Sequence, residues 1–278
     1  MTLRPNEKTT PTTGFAHKKS LGQNFLTSNI VPGWLCDAAD LAPEETVLEI
    51  GPGTGALTKE LLSRGMKVIA VEADSRAVAL LKEEYTEALT SGQLTLHHAD
   101  ARMLEPRELG LCDQKFSVVA NIPYYLSGLL LRKLLESTIQ PRTLVFLLQK
   151  ELVARIARDK KESLLSLSVK VFGDPTYIRT VGRGHFNPPP KVDSAILAVR
   201  AISRERLRGV PAPFFFELLH RGLGNKRKQL IGNLSQVYNR QSLEKIFIAE
   251  GIPLTCRGED LHLLTWVSLA KALAKAAV

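Results

Sequence analysis

Glu49-Ile50-Gly51-Pro52-Gly53-Thr54-Gly55 ends the short apolar run 47–50 and precedes an amphipathic stretch at 56–63, which predicts a strand, a glycine turn and a helix. Glycine at alternate positions allows a tight turn and close backbone approach to a ligand. A second apolar run at 67–71 ends at Glu72, at about the 20-residue spacing where a carboxylate can accept hydrogen bonds from ribose hydroxyls. The unit reads as β-α-β with its ligand site at the strand ends. Dinucleotide oxidoreductases share this geometry, and locally Glu72 could also be a solvated side chain.

Working outward, residues 95–98, 117–120 and 143–148 continue the alternation as strands, with helices expected at 30–39, 76–88 and 126–135. The fold class is therefore α/β, a Rossmann-like, mostly parallel open sheet covered by helices. Residues 166–172 and 194–199 read as later strands that give the sheet an antiparallel edge, separated by the proline-bearing loop 182–191. From residue 214 the pattern is helical, with helices expected at 214–220, 227–238, 243–249 and 261–273. The expected division is a flexible leader at 1–16, a catalytic domain at 17–202 and a small all-helical domain at 203–278.

The chain has 278 residues, 44% of them hydrophobic, enough for a sizeable core. No apolar run approaches membrane-spanning length and the first residues are polar, so a cytoplasmic protein without a membrane partner is expected. Cys36, Cys112 and Cys256 are odd in number and far apart, which offers neither a disulfide framework nor a zinc knuckle. His97 and His98 are adjacent and would face opposite ways in a strand, and the other histidines are scattered, so no metal site is expected. The net charge of +9 favours a polyanionic partner. Residues 201–278 carry 12 Lys/Arg against 6 Asp/Glu, so the tail is the better candidate for phosphate contact. Arg221, Lys226, Arg227 and Lys228 concentrate charge near an expected helix start, and Lys18 and Lys19 could extend that surface. A solvated helix face would look the same.

Asp100 follows the third strand, where its carboxylate could accept from the exocyclic amine of a cofactor adenine. A simple turn or cap aspartate stays open at that position. Asn121-Ile122-Pro123-Tyr124 follows the apolar run ending at Ala120. The Asn121 side-chain oxygen and the Ile122 carbonyl could receive the two hydrogens of an adenine amine, aiming the nitrogen lone pair at a sulfonium methyl. Pro123 stiffens the turn and Tyr124 offers a stacking face. Phe186, before Asn187-Pro188-Pro189-Pro190-Lys191, could supply an opposing ring, and a proline-rich surface turn with a buried phenylalanine is the alternative. The combination points to methyl transfer onto adenine nitrogen, in which orientation and desolvation do most of the work.

These stretches, with Lys18-Lys19-Ser20-Leu21-Gly22-Gln23-Asn24-Phe25-Leu26, Leu148-Gln149-Lys150-Glu151 and Phe186 through Ala195, resemble the small-subunit ribosomal RNA adenine-N6 dimethyltransferases over most of residues 17–273. The resemblance implies S-adenosylmethionine as cofactor. It implies dimethylation of two adjacent adenosines near the 3′ end of small-subunit RNA, within an assembling 30S particle, by a monomeric enzyme. It also implies that Asn24, Leu26, Gly51, Glu72, Asp100 and Asn121 bind the cofactor, that Asn121 lies at the methyl-transfer centre, and that Tyr124 and Phe186 flank the target base. The related large-subunit enzymes share the catalytic motifs. Asn225-Lys226-Arg227-Lys228-Gln229-Leu230 and Arg257-Gly258-Glu259-Asp260-Leu261 resemble the small-subunit branch, although Leu223, Asn225, Lys226 and Gly258 depart from its usual residues.

Overall fold

The structure, a computed structural model, describes residues 24–276; the expected leader, Lys18 and Lys19 lie outside them. In chain order the elements are β1 (Phe25–Leu26), α1 (Ile30–Ala39), β2 (Thr46–Ile50), α2 (Ala56–Ser63), β3 (Lys67–Glu72), α3 (Ser75–Glu84), α4 (Thr86–Thr90) and β4 (Leu94–His98). They continue through β5 (Phe116–Asn121), α5 (Ser127–Glu136), β6 (Thr143–Gln149), α6 (Lys150–Ala157), α7 (Leu164–Lys170), β7 (Asp174–Val181), β8 (Phe186–Asn187) and β9 (Ser194–Arg200). The last four are α8 (Ala212–Leu223), α9 (Leu230–Leu234), α10 (Arg240–Ala249) and α11 (Leu263–Ala276).

A seven-stranded sheet runs in the order β4-β3-β2-β5-β6-β9-β7. The first five strands are parallel, and β9 runs antiparallel to both β6 and β7. After β2 the chain winds towards β3 and β4, then returns to lay β5 and β6 on the other side. The strand order therefore reverses between β2 and β5, and the crevice outside their carboxyl ends is where a sheet of this kind receives ligands.

Both faces of the central strands are buried, as parallel strands covered by helices require. Leu48, Val118, Ala120 and Phe146 pack into one apolar cluster, whereas Val47, Val119, Val145 and Leu147 pack into the other with Val31 and Leu35 of α1. Period-two alternation thus sends neighbouring residues to opposite sides. Phe215, Phe247 and Trp266 of the C-terminal helices belong to the first cluster, so the helical tail shares its core with one sheet face. The Phe172 and Phe216 rings mark the contact, with centroids 6.0 Å apart.

Three expectations are corrected. Residues 166–172 are not a strand, because α7 occupies Leu164–Lys170. The Leu-Ser-Leu-Ser-Val alternation looks like period two, but its serines satisfy a helix. The Ser163 hydroxyl accepts from the Ser166 N–H, the Ser166 hydroxyl accepts from the Ser163 N–H, and the Ser168 hydroxyl donates to the Leu164 carbonyl four residues back. The strand next to β9 is instead β7, where Pro175 is tolerated because β7 is the sheet edge. The antiparallel strand is consequently interior. Second, the expected helix 227–238 shrinks to α9, since the Asn233 carboxamide donates to the Gly222 and Asn225 carbonyls and holds 225–229 as a turn. Third, the expected helix 76–88 breaks at Tyr85 into α3 and α4; the Tyr85 hydroxyl donates to the Gly55 carbonyl.

Candidate active site

The glycine turn sits at the strand-order reversal. Gly51, Gly53 and Gly55 have φ of +67°, +57° and +83°, a region that side chains with a Cβ avoid. Packing restricts two of them further: a Cβ on Gly53 would lie 2.7 Å from the Phe25 ring, and one on Gly55 would lie 2.8 Å from Tyr85. The turn is therefore pressed between β1 and the end of α3.

Two buried acidic residues flank this turn. Glu72, buried at the end of β3, accepts the Gly53 N–H at 3.0 Å and the Asp74 N–H at 2.8 Å. Glu49, buried at the end of β2, accepts the Thr58 hydroxyl at 2.7 Å through one oxygen, while its Oε1 has no hydrogen-bond partner among the described residues. Burial pushes the Glu49 carboxyl up to about 8, helped by the nearby Glu72 charge and opposed by the Thr58 hydrogen bond. An orphaned buried oxygen lining a cleft fits a ligand that brings its own donor.

Asp100 caps a short 3-10 turn, Ala101–Met103, by accepting the Arg102 N–H at 2.8 Å. The Arg102 guanidinium grips the same carboxylate, with Nε 2.9 Å and Nη2 2.5 Å from Oδ2. This fork holds the Asp100 carboxyl below its ordinary range, chiefly through the Arg102 side-chain hydrogen bonds. Asp74 and Arg76 repeat the arrangement, but the Asp74 side chain is fully buried whereas that of Asp100 is 36% exposed. Asp100 can therefore serve as an acceptor in the cleft as well as a cap.

Asn121 ends β5 half-buried and donates from Nδ2 to the Asn24 carbonyl at 3.1 Å. Its amide nitrogen is engaged, which leaves Oδ1 as the acceptor. Tyr124 begins the 3-10 turn Tyr124–Leu126, and its hydroxyl is hydrogen-bonded to Ser194 Oγ at 2.6 Å. Burial raises the Tyr124 phenol and the Ser194 bond opposes this; the same bond holds the ring at its far end.

Asn24, Leu26, Gly51, Glu72, Asp100, Asn121 and Tyr124 all line one cleft. Phe186 does not. It is buried in β8, opposite Leu26 across a two-stranded antiparallel pair of β1 with β8, so it braces the segment carrying Asn24 and Leu26. Arg221 is at the far end of α8, ion-paired with Glu217 at 2.6 Å. Lys226, Arg227 and Lys228 are exposed on the turn before α9 and form no ion pair among the described residues. Phe25, Glu49, Arg102 and Tyr125 also line the cleft. Their roles were not read from the sequence, although Glu49 could have been noticed as an acid ending an apolar strand at the glycine turn. Arg102 and Tyr125 acquire theirs only from turn geometry.

Among the described residues no helix is long and apolar enough to cross a membrane. The family described as ribosomal RNA adenine dimethylase matches residues 14–275. The chain is 37% identical over 255 residues to ribosomal RNA small subunit methyltransferase A of Dehalococcoides mccartyi strain CBDB1, covering 91% of this chain and 87% of the relative. Among solved structures it is similar to a dimethyladenosine transferase from Plasmodium falciparum, with TM-score 0.73, 25% identity and coverage of 91% and 98% of the two chains. The fold is also that of the 23S rRNA methyltransferase ErmE, with TM-score 0.69, 24% identity and coverage of 90% and 100%. On the family match and on this identity over most of its length, the chain belongs to the ribosomal RNA adenine dimethylase family.

Proposed function

We propose that this dimethylase moves methyl groups from S-adenosylmethionine to N6 of two adjacent adenosines near the 3′ end of small-subunit ribosomal RNA, within an assembling 30S particle. The observation that carries this reading is the convergence of Asn121, Asp100, Glu72 and the glycine turn on one cleft at the reversal of strand order. The cofactor supplies an electrophilic methyl group on a sulfonium, so no strong base is required of the protein.

The residues divide the work by position. Gly51 and Glu72 suit the middle of the cofactor, Asp100 its adenine edge, and Asn24 and Leu26 its cover. Asn121 Oδ1 accepts from the target amine, and its orientation comes from the Asn24 carbonyl that holds its nitrogen. Tyr124, tethered to Ser194, presents a fixed face to the base. Phe186 supports this reading as a brace behind β1 more directly than as a ring against the base.

The small-subunit substrate rests on the relatives' names and the exposed basic turn, since likeness to the 23S enzyme concerns the fold alone. We assign residues 203–278 to RNA contact, in a monomeric cytoplasmic enzyme. The decisive experiment is labelled methyl transfer to under-methylated small-subunit particles, with large-subunit RNA in parallel and the products mapped. Dimethyladenosine at an adjacent pair in the small subunit supports the assignment, and label confined to large-subunit RNA rejects the substrate.

Two further outcomes are expected. Changing Arg227 and Lys228 together to serine lowers the slope of log affinity against log salt by about two, because each lost phosphate contact removes about one counterion release. An unaltered slope would exclude this turn from the RNA interface. Arg102→Leu removes the cation that holds Asp100 ionised. Asp100 then takes up its proton at higher pH. Cofactor affinity measured by calorimetry should begin to fall at a higher pH on acidification in the variant than in the parent, and superimposable pH profiles would contradict the assignment of Asp100.

A further inference from the structure

Adjacent tyrosines on the turn after β5 are placed in opposite ways. Tyr124 is half-buried and tethered to Ser194, whereas Tyr125 is 61% exposed and lines the mouth of the cleft. Among the described residues Tyr125 is the aromatic member of the exposed large apolar set, whose other members are aliphatic or methionine. Two more of that set, Met103 at 76% and Leu129 at 45%, lie on the neighbouring 3-10 turn and the first turn of α5, which pack together. Arg102 lines the same mouth.

An exposed ring with a thioether and a guanidinium nearby is a surface that single-stranded bases stack on. The reaction creates the need for one. A base drawn out of its strand into the cleft leaves its neighbour without a stacking partner, at a cost of a few kcal/mol. We propose that Tyr125 is a stacking platform for the base next to the target adenosine, replacing the stack lost when the target enters the cleft. This rests on the RNA methylation reading above. The platform takes whichever neighbouring base lies on the Tyr125 side of the cleft, which makes Tyr125 a positioning residue for the transfer.

The test compares the parent enzyme with Tyr125→Ala and Tyr125→Trp on under-methylated small-subunit particles, measuring KM for the particle, kcat and cofactor affinity. The exposed side chain can be removed without opening the core. Tyr125→Ala should raise KM for the particle by about five-fold or more, the low end of base-to-aromatic stacking, with cofactor affinity unchanged. Tyr125→Trp should restore KM to within about two-fold of the parent. An unchanged KM in Tyr125→Ala, a failure of tryptophan to rescue, or a loss confined to cofactor affinity would each overturn the platform while parent activity stands. A parent enzyme that does not methylate the particle would overturn the functional reading itself, and the platform with it.

Discussion

Asn121→Ala is expected to lower methyl transfer by on the order of 10²-fold or more, the usual consequence of losing the group that orients a reacting atom, while RNA affinity stays within about two-fold. Asn121 sits at the end of β5, and its carboxamide is held by the Asn24 carbonyl at 3.1 Å. The alanine variant loses both the acceptor for the target amine and the tie to the Asn24 carbonyl. Phosphate contact is assigned to the basic turn before α9, whose residues do not line this cleft, so turnover should fall far more than RNA binding. Single-turnover methyl transfer alongside RNA binding at fixed salt checks this. Equal losses in both would place Asn121 in RNA binding, and full activity would remove it from the methyl-transfer centre.

Glu49→Gln is expected to stabilise the free protein at alkaline pH and to leave it unchanged in acid. In the folded chain burial lifts the Glu49 carboxyl from 4.5 to about 8. Between these values the native state keeps a proton that the unfolded state has released. The derivative of unfolding free energy with pH, set by protons bound unfolded minus folded, is therefore negative across that window. The Glu49 contribution is fully present below pH 4.5 and is lost as pH rises through 8, by on the order of 5 kcal/mol as an upper bound. Glutamine keeps the shape without the titration. Thermal unfolding of both proteins at pH 5 and pH 8 should give a gap in Tm that opens with pH in favour of the variant. A gap that does not change with pH would show that Glu49 does not titrate in this window.

The parallel strands were legible because burial on both faces writes near-continuous apolar runs, as in Phe116–Asn121 and Thr143–Gln149. The β7 region was not legible in the same way. An edge strand needs only one apolar side, so Asp174, Pro175 and Arg179 carry no penalty there, while the neighbouring serine-rich helix imitates strand alternation. The basic segment was visible as charge, but its conformation depends on Asn233 reaching back to two carbonyls.

The same division runs through the cleft. By itself the sequence determined the glycine turn, the acids that end β3 and follow β4, and the Asn-Ile-Pro-Tyr stretch, because each is a local requirement of residue type at a strand end. Tertiary structure alone decided that Glu49 keeps an orphaned oxygen, that Arg102 grips Asp100, that Phe186 supports β1 from behind, and that Tyr124 is tethered while Tyr125 faces outward. Most of these outcomes depend on groups that the folded chain brings together across tens of residues, as with Tyr124 and Ser194 or Leu26 and Phe186, and the Arg102 fork, although only two residues from Asp100, depends on the 3-10 turn between them.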